Sequence, residues 1–192
     1  MKSPVEILLF TSGKYPKVEK EIEQALSEIT ELDRKLSFKK FKVNSAMAKK
    51  ENVKKGPVIM LHGKEKGKVR FLGFPSAYEF PVFILDILNV SGVKQHIDKV
   101  SEAKAKKIRK KTHIEVFQMP PCAYSPIAVK MAHDIAILNR NVTADMVDAL
   151  LFPELVRKYK IKETPTTVID GRTKLYGLMP ISEILDALEK RK

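Results

Sequence analysis

The stretch of residues 116–126, VFQMPPCAYSP, contains Cys122, the only cysteine among the 192 residues of the chain. Upstream, residues 112–118 are rich in β-branched and aromatic side chains and predict a short strand. Downstream, apolar residues at spacings of four, four and three predict one buried face of a helix of about 14 residues: Ile127, Met131, Ile135 and Leu138. Cys122 is therefore predicted to lie in a strand-to-helix turn.

This position predicts a reactive thiol. The unpaired N–H groups of a first helical turn and the positive end of the helix dipole stabilise an anion. The thiolate is the nucleophilic form of cysteine, and helix N-termini lower its pKa below the free value of about 8.5. A lone cysteine is more often a small buried apolar residue, but the setting Pro-Pro-Cys-x-Tyr-Ser-Pro favours the reactive interpretation.

Composition limits the class of protein. No run of 18 apolar residues is present, and the apolar stretch 5–10 is too short for the core of a secretory signal. A single cysteine excludes an intramolecular disulfide and suits a reducing compartment. We therefore expect a soluble cytoplasmic protein that does not contact a membrane.

The chain is strongly basic, with 36 Lys and Arg against 23 Asp and Glu and a formal net charge of +13. Such a surface attracts polyanions, but charge alone does not support nucleic-acid binding. The densest basic run, residues 104–111, has no interleaved aromatic residues on which bases stack, so a solvated helix face or linker is the preferred interpretation. The abundance of Lys and Glu with one Cys also suits a thermophile.

The order of predicted elements is the same in the two halves of the chain. In the first half we predict strands at 5–10, 38–43, 58–61 and 69–72 and helices at 16–32, within 45–55 and at 80–88. A lysine-rich linker helix from about 94 to 108 opens the second half. Strands at 112–118, 142–147, 166–169 and 173–176 and helices after Cys122, at 153–159 and at 181–188 follow.

Matching turns indicate an internal repeat. Gly13 lies 44 residues before Pro57, Cys122 lies 43 residues before Pro165, and each turn has a Tyr two residues further on. We predict an α/β fold of two tandem βαβαββα units, residues 1–92 and 93–192, with mixed sheets flanked by helices.

Several segments carry a family resemblance. They are residues 121–133 (PCAYSPIAVKMAH), 145–149 with Pro153-Glu154, Thr164-Pro165 with Val168-Ile169, and, in the first half, 71–75 with Glu79-Phe80. In these segments the chain resembles the two-unit protein disulfide oxidoreductases of thermophilic archaea and bacteria, which are tandem thioredoxin or glutaredoxin folds. The resemblance implies that Pro165 follows a cis peptide bond and packs against the Cys122 thiol.

The sequence departs from that family at its thiols. The family's Cys-x-Tyr-Cys pattern appears here as Cys122-Ala123-Tyr124-Ser125, so the attacking thiol is kept and the resolving one is replaced. The first unit has Gly13-Lys14-Tyr15-Pro16 and no thiol. Ser125 cannot resolve a mixed disulfide, but its hydroxyl can stabilise the thiolate, so Cys122 and Ser125 are the predicted catalytic residues. We expect Tyr124, Thr164 and Pro165 to bind the substrate, with the backbone of Thr164 pairing to an extended segment.

These features predict a monothiol thiol-disulfide exchange protein or isomerase that acts on protein disulfides or low-molecular-weight thiols, with an external thiol as resolver. The alternative is a redox-inactive thioredoxin-like binding module. An iron–sulfur cluster would require a dimer and outside thiols, so no cofactor is predicted.

Other titratable residues give weaker signals. The four histidines show no ligand spacing to cysteine or carboxylates, so no metal site is predicted. His133 is expected at the surface or satisfied by a neighbour rather than acting as a base for Cys122. Glu115 lies on the strand that enters the turn, where a buried acid can move protons, although a solvated strand carboxylate is the simpler interpretation.

Overall fold

A computed structural model describes residues 1–190. The strands are β1 Val5–Thr11, β2 Leu36–Lys42, β3 Val58–His62, β4 Lys68–Leu72, β5 Thr112–Gln118, β6 Val142–Asp148, β7 Thr166–Ile169 and β8 Thr173–Tyr176. The helices are α1 Pro16–Glu31, α2 Ala46–Glu51, α3 Phe80–Val90, α4 Lys99–Lys107, α5 Ser125–Leu138, α6 Pro153–Tyr159 and α7 Ile181–Glu189, with a 3₁₀ turn at Ala77–Glu79.

The two halves share one continuous mixed sheet, with strand order β2-β1-β3-β4-β6-β5-β7-β8. Each half contributes four neighbouring strands with the same pattern of parallel and antiparallel pairs. Parallel pairing of β4 with β6 joins the halves. The predicted α/β class and the thioredoxin-like order of elements are confirmed, and the structure adds that the two expected sheets are one.

Alternation along the strands sends side chains to two cores, one on each face of the sheet. On β1, Ile7 and Leu9 face one core, whereas Leu8 and Phe10 face the other. The first core is covered by the longer helices, including α1, α3, α5 and α7, and the second by α2 and α6. Between α2 and α6 the second face has a central cleft of about 600 Å³.

A close backbone contact fixes one half against the other at the turn before β4. The N–H of Gly67 donates to the carbonyl of Ala136 at 3.0 Å. A Cβ at position 67 would lie only 2.3 Å from the carbonyl oxygen of Val142, closer than a side chain can approach. Glycine is required here because the turn packs directly on the loop between α5 and β6.

Three helix predictions are corrected by tertiary packing. Ile127, expected to be buried, is 45% exposed, because α5 uses a different face and buries Ala128, Val129, Ala132, Ile135 and Ala136 beneath neighbouring helices. Leu32, assigned to the apolar face of α1, is 80% exposed and lies just beyond the helix end. The helix expected from residue 94 begins only at Lys99, because the Asp98 carboxylate caps it by accepting from the N–H groups of Val100 and Ser101.

An ion pair crosses the junction between the halves. Arg70 of β4 lies opposite Asp145 of β6 in the strand register. Its Nε and Nη2 donate to the two carboxylate oxygens, each at 2.7 Å, and both side chains are largely buried. Arg70 and His113 keep the pKa of Asp145 well below its usual range, although burial acts in the opposite direction.

We expect Arg70→Met to lower the free energy of unfolding by about 3 kcal/mol, because it leaves the buried Asp145 carboxylate without its main countercharge. Chemical denaturation followed by circular dichroism measures this change. Replacing both partners with apolar residues, Arg70→Met with Asp145→Leu, should recover most of the loss. The matched control is Lys39→Met, which removes the exposed ion pair with Glu6 and should cost less than about 1 kcal/mol. Equal losses in the two single variants would contradict the assigned role of the buried pair.

No helix within residues 1–190 is both long enough and apolar enough to span a membrane.

Candidate functional site

Cys122 lies in the turn between β5 and α5, as predicted. Its backbone N–H donates to the carbonyl of Met119 at 2.9 Å, and α5 begins three residues later at Ser125. The side chain is partly exposed and forms no disulfide. Among the described residues it is the only thiol, so any thiol chemistry of this site begins at its Sγ atom.

The sheet brings Thr164 and Pro165 to this turn. The Thr164–Pro165 peptide bond is cis, and β7 starts at the next residue. Antiparallel pairing places Phe117 of β5 opposite Thr166 of β7, so Pro165 lies beside the end of β5 that leads to the cysteine. The Cys122 thiol donates to the carbonyl oxygen of Thr164 at 3.4 Å, which joins two residues 42 positions apart.

Ser125 is fully buried at the first position of α5. Partial burial raises the pKa of the Cys122 thiol, but the Ser125 hydroxyl and the N–H groups of Tyr124 and Ser125 outweigh this effect. The net result is a pKa below the ordinary value of cysteine. Within residues 1–190 the Ser125 hydroxyl oxygen has no hydrogen-bond partner of normal geometry, so it is free to turn toward the thiolate.

The surface around the thiol is apolar and accessible. Tyr124 is 63% exposed, Ile127 is 45% exposed and Met119 is 39% exposed, and all three lie within five residues of Cys122. Exposed apolar side chains around a reactive group offer a contact surface for a protein substrate. Tyr124 therefore does not pack into the core, which leaves it available for the substrate contact predicted from sequence.

The first unit repeats this geometry with different chemistry. Gly56–Pro57 is also a cis bond, and the hydroxyl of Ser12 donates to the carbonyl of Gly56 at 3.0 Å. Ser12, rather than the aligned Gly13, thus makes the contact that Cys122 makes in the second unit. The Tyr15 hydroxyl donates to the carbonyl of Leu151 at 2.8 Å, which ties this turn to the second unit.

Glu79 is a titratable residue whose side-chain chemistry sequence reasoning missed. It ends the 3₁₀ turn that packs against α5, is only 3% exposed, and its Oε1 has no partner among the described residues. Burial, aided by the nearby Asp148, raises its pKa to about 7. No local sequence pattern marks this carboxyl, because its burial results from contact between the first unit and a helix of the second.

Glu115 and His113 project from the early part of β5 into the central cleft. Glu115 is buried rather than solvated, and burial raises its pKa despite the opposing effect of His113. His113 Nε2 lies 2.7 Å from Asp145 Oδ2, a contact between strands that the linear sequence does not show. The sequence interpretation of Glu115 as a solvated strand carboxylate was therefore wrong.

His113, Glu115 and Asp145 each offer a ligand atom within 4.8 Å of the others. However, the Arg70 guanidinium already donates to both oxygens of Asp145, and its Nη2 lies 3.2 Å from His113 Nε2. A fixed positive charge so close opposes binding of a metal cation. We propose that these residues form an ion-pair network rather than a metal site.

His133 has a structural role within this fold. It is fully buried on α5, and its Nδ1 lies 2.6 Å from Asp86 Oδ2 on α3. Its ring also packs edge-on against Phe71. The histidine is thus satisfied by a neighbour, one of the two outcomes that its sequence position predicted.

Together, the cis proline beside a turn cysteine and the repeated order of elements define a protein of two thioredoxin-like units. Residues 112–190 match the family described as thioredoxin domain. The chain is similar over 98% of its length to the alkylhydroperoxide reductase AhpF of Enterococcus faecalis, with a TM-score of 0.88, 29% identity and 91% of that chain covered. A protein disulfide oxidoreductase of Aeropyrum pernix has the same fold, with a TM-score of 0.86 at 23% identity over 98% of this chain and 86% of that one.

Curated relatives extend the similarity in sequence. The corresponding alkyl hydroperoxide reductase protein of Staphylococcus aureus is 29% identical over 171 residues, which are 88% of this chain and 31% of that protein. A Bacillus subtilis NADH dehydrogenase is 27% identical over 180 residues, which are 94% of this chain and 34% of that protein. The chain therefore spans about a third of the length of these relatives. It is a thioredoxin-fold chain that resembles thioredoxin-like thiol-disulfide oxidoreductases.

We expect Cys122 to be alkylated with a pH midpoint below that of a free cysteine, because the thiolate is stabilised by Ser125 and by the first N–H groups of α5. Ser125→Ala should move the midpoint upward and slow alkylation by iodoacetamide at pH 7. Ser12→Ala, which removes the matching hydroxyl of the first unit, serves as the control and should leave the rate unchanged. A wild-type midpoint at or above the free value would contradict this description of the site.

We expect Glu79→Gln to stabilise the protein at pH 8 more than at pH 4.5, by about 1–2 kcal/mol after allowance for solvent screening. Since burial raises the pKa of Glu79 to about 7, the folded state opposes its ionisation. The wild-type free energy of unfolding thus falls, through this group, as pH rises from the unfolded pKa of about 4.3 to about 7. Urea denaturation of both proteins across this range tests the sign, and a pH-independent difference would contradict it.

Proposed function

We propose that this chain is a monothiol thiol-disulfide exchange protein that acts through Cys122. The observation that carries the proposal is the hydrogen bond from the Cys122 thiol to the carbonyl of Thr164, next to cis-Pro165. It places the thiol beside an accessible backbone edge, where an extended substrate can pair with the chain. Relatives named as a protein disulfide oxidoreductase and as alkyl hydroperoxide reductases support redox chemistry of this class.

The proposed reaction has two exchanges. The Cys122 thiolate attacks one sulfur of a substrate disulfide, forms a mixed disulfide and releases the other substrate sulfur as a thiolate. An external thiolate then attacks the mixed disulfide, joins the substrate sulfur and returns Cys122 to its thiolate form. The external thiol is oxidised and the substrate disulfide is reduced, while a second attack by a substrate thiol instead gives isomerisation.

Ser125 defines the monothiol character of the proposal. It occupies the position three residues after Cys122, where a second thiol could resolve the mixed disulfide at high effective concentration. A serine hydroxyl is not acidic enough to do so. Its proposed role is to stabilise the Cys122 thiolate, while Tyr124, Thr164 and Pro165 hold the substrate.

Two further proposals follow the same interpretation. Residues 1–92 and 93–192 form two units, of which the second carries the thiol chemistry and the first supports it. A reducing cytoplasm suits a single free thiol that must remain unoxidised between cycles, and the abundance of Lys and Glu suits a thermophilic source.

The test begins with a peptide that contains a disulfide and a fluorescent reporter. Wild-type protein should form a mixed disulfide at Cys122, visible by mass spectrometry, and should turn over only when a small thiol such as 2-mercaptoethanol is added. Ser125→Cys should gain insulin reduction of about tenfold or more over wild type, since the second thiol acts at high effective concentration.

The matched control is Cys122→Ser combined with Ser125→Cys, which keeps one thiol but moves it into the buried position. This variant should form little mixed disulfide. If wild-type Cys122 forms no mixed disulfide and Ser125→Cys gains no turnover, the chain is instead a redox-inactive thioredoxin-like binding module.

A further inference from the structure

The central cleft between α2 and α6 is a second concave site, separate from Cys122. Its lining comes from both units, residues 51–72 of the first and 111–159 of the second. Its volume of about 600 Å³ lies within the range of small-molecule sites in proteins. Along β5 the cleft residues come first, His113 and Glu115, whereas Cys122 follows the other end of the strand.

The cleft has a surplus of positive charge. Seven lysine and arginine side chains line it against three carboxylates. Two of the carboxylates are already compensated, since Glu51 accepts from Lys68 at 2.8 Å and Asp145 from Arg70. A concave surface with uncompensated charge of one sign concentrates field and attracts ions of the opposite sign.

Three cations at the rim have no such compensation. Lys54 comes from the first unit, and Lys111 and Arg140 from the second. In the part of the chain that the structure describes, none of the three forms an ion pair or a side-chain hydrogen bond, and all three are exposed. The rim therefore presents lysine and arginine donors from both units to one space.

The floor of the cleft supplies further donors. The pKa of His113 is raised because the effects of Asp145 and Glu115 outweigh the opposing effect of burial, so its ring keeps a proton to higher pH than usual. Glu115 is 4% exposed, and its Oε2 has no partner within residues 1–190. Because burial favours the neutral acid, this carboxyl can donate to an anion oxygen as the protonated acid.

We propose that this cleft binds a small anion carrying at least two phosphate groups, held by Lys54, Lys111 and Arg140 at the rim and by His113 at the floor. Arginine and lysine donors match the oxygens of phosphate, and a doubly phosphorylated ligand reaches cations on both units at once. Such a ligand stabilises the folded chain, because its binding groups come together only when the two units are joined.

Pyrophosphate is the probe, titrated into the 192-residue chain at constant ionic strength by calorimetry and by thermal unfolding. Saturable binding with a rise in the midpoint of unfolding is expected, and chloride at the same ionic strength should give neither. The double variant Lys111→Glu with Arg140→Glu should weaken binding at least tenfold. Cys122→Ser should bind as wild type does, which separates this proposal from the redox function.

The control for charge is Lys17→Glu with Lys20→Glu, two exposed residues of α1 on the opposite face of the sheet. This variant has the same net charge as the cleft variant and should keep wild-type affinity for pyrophosphate. Equal weakening in both double variants, or an absence of saturable binding, overturns the proposal.

Two competing ligands complete the test. Citrate binding as tightly as pyrophosphate would show a site for carboxylates as well, which overturns the assignment to phosphate. A short DNA or RNA duplex that binds more tightly than pyrophosphate, and loses affinity in the cleft variant, would assign the surface to nucleic acid instead. Selective loss of pyrophosphate binding in the cleft variant, with no duplex binding, supports the proposal.

Discussion

Pairing between β4 and β6 is the constraint on which the rest of this structure depends. It turns two four-stranded halves into one sheet, and the buried ion pair between Arg70 and Asp145 lies across that pairing. A charge buried at this junction destabilises the fold unless its partner is present, so the two halves must meet in the correct register. Gly67 allows the close backbone contact at the same junction.

The thiol site depends on the sheet in a different way. Cys122 and Thr164 are 42 residues apart, and they meet because β5 and β7 pair with Phe117 opposite Thr166. The first unit has the same turn, the same cis bond before its hairpin and a serine hydroxyl at the equivalent contact. One framework thus supports a nucleophilic thiol in one unit and a purely structural contact in the other.

The junction also creates features that neither unit has alone. Glu79 belongs to the first unit, but it is buried by packing of its turn against α5 of the second. The basic cleft takes its lining from both units, and its floor is built around the same Arg70 and Asp145 that hold the sheet together. A tandem arrangement therefore provides titratable groups and a concave surface in addition to the thiol turn.

The sequence by itself determined the order of elements, the turn position of Cys122 and the place of Pro165, because periodicity and turn residues are local signals. It predicted strand β5 and helix α6 with the bounds found in the structure. Tertiary structure alone decided which face of α5 is buried, the burial of Glu79 and Glu115, and the network of Arg70, His113 and Asp145. These features arise from contacts between residues 32 to 75 positions apart or between separate units, and such contacts leave no pattern in the local sequence.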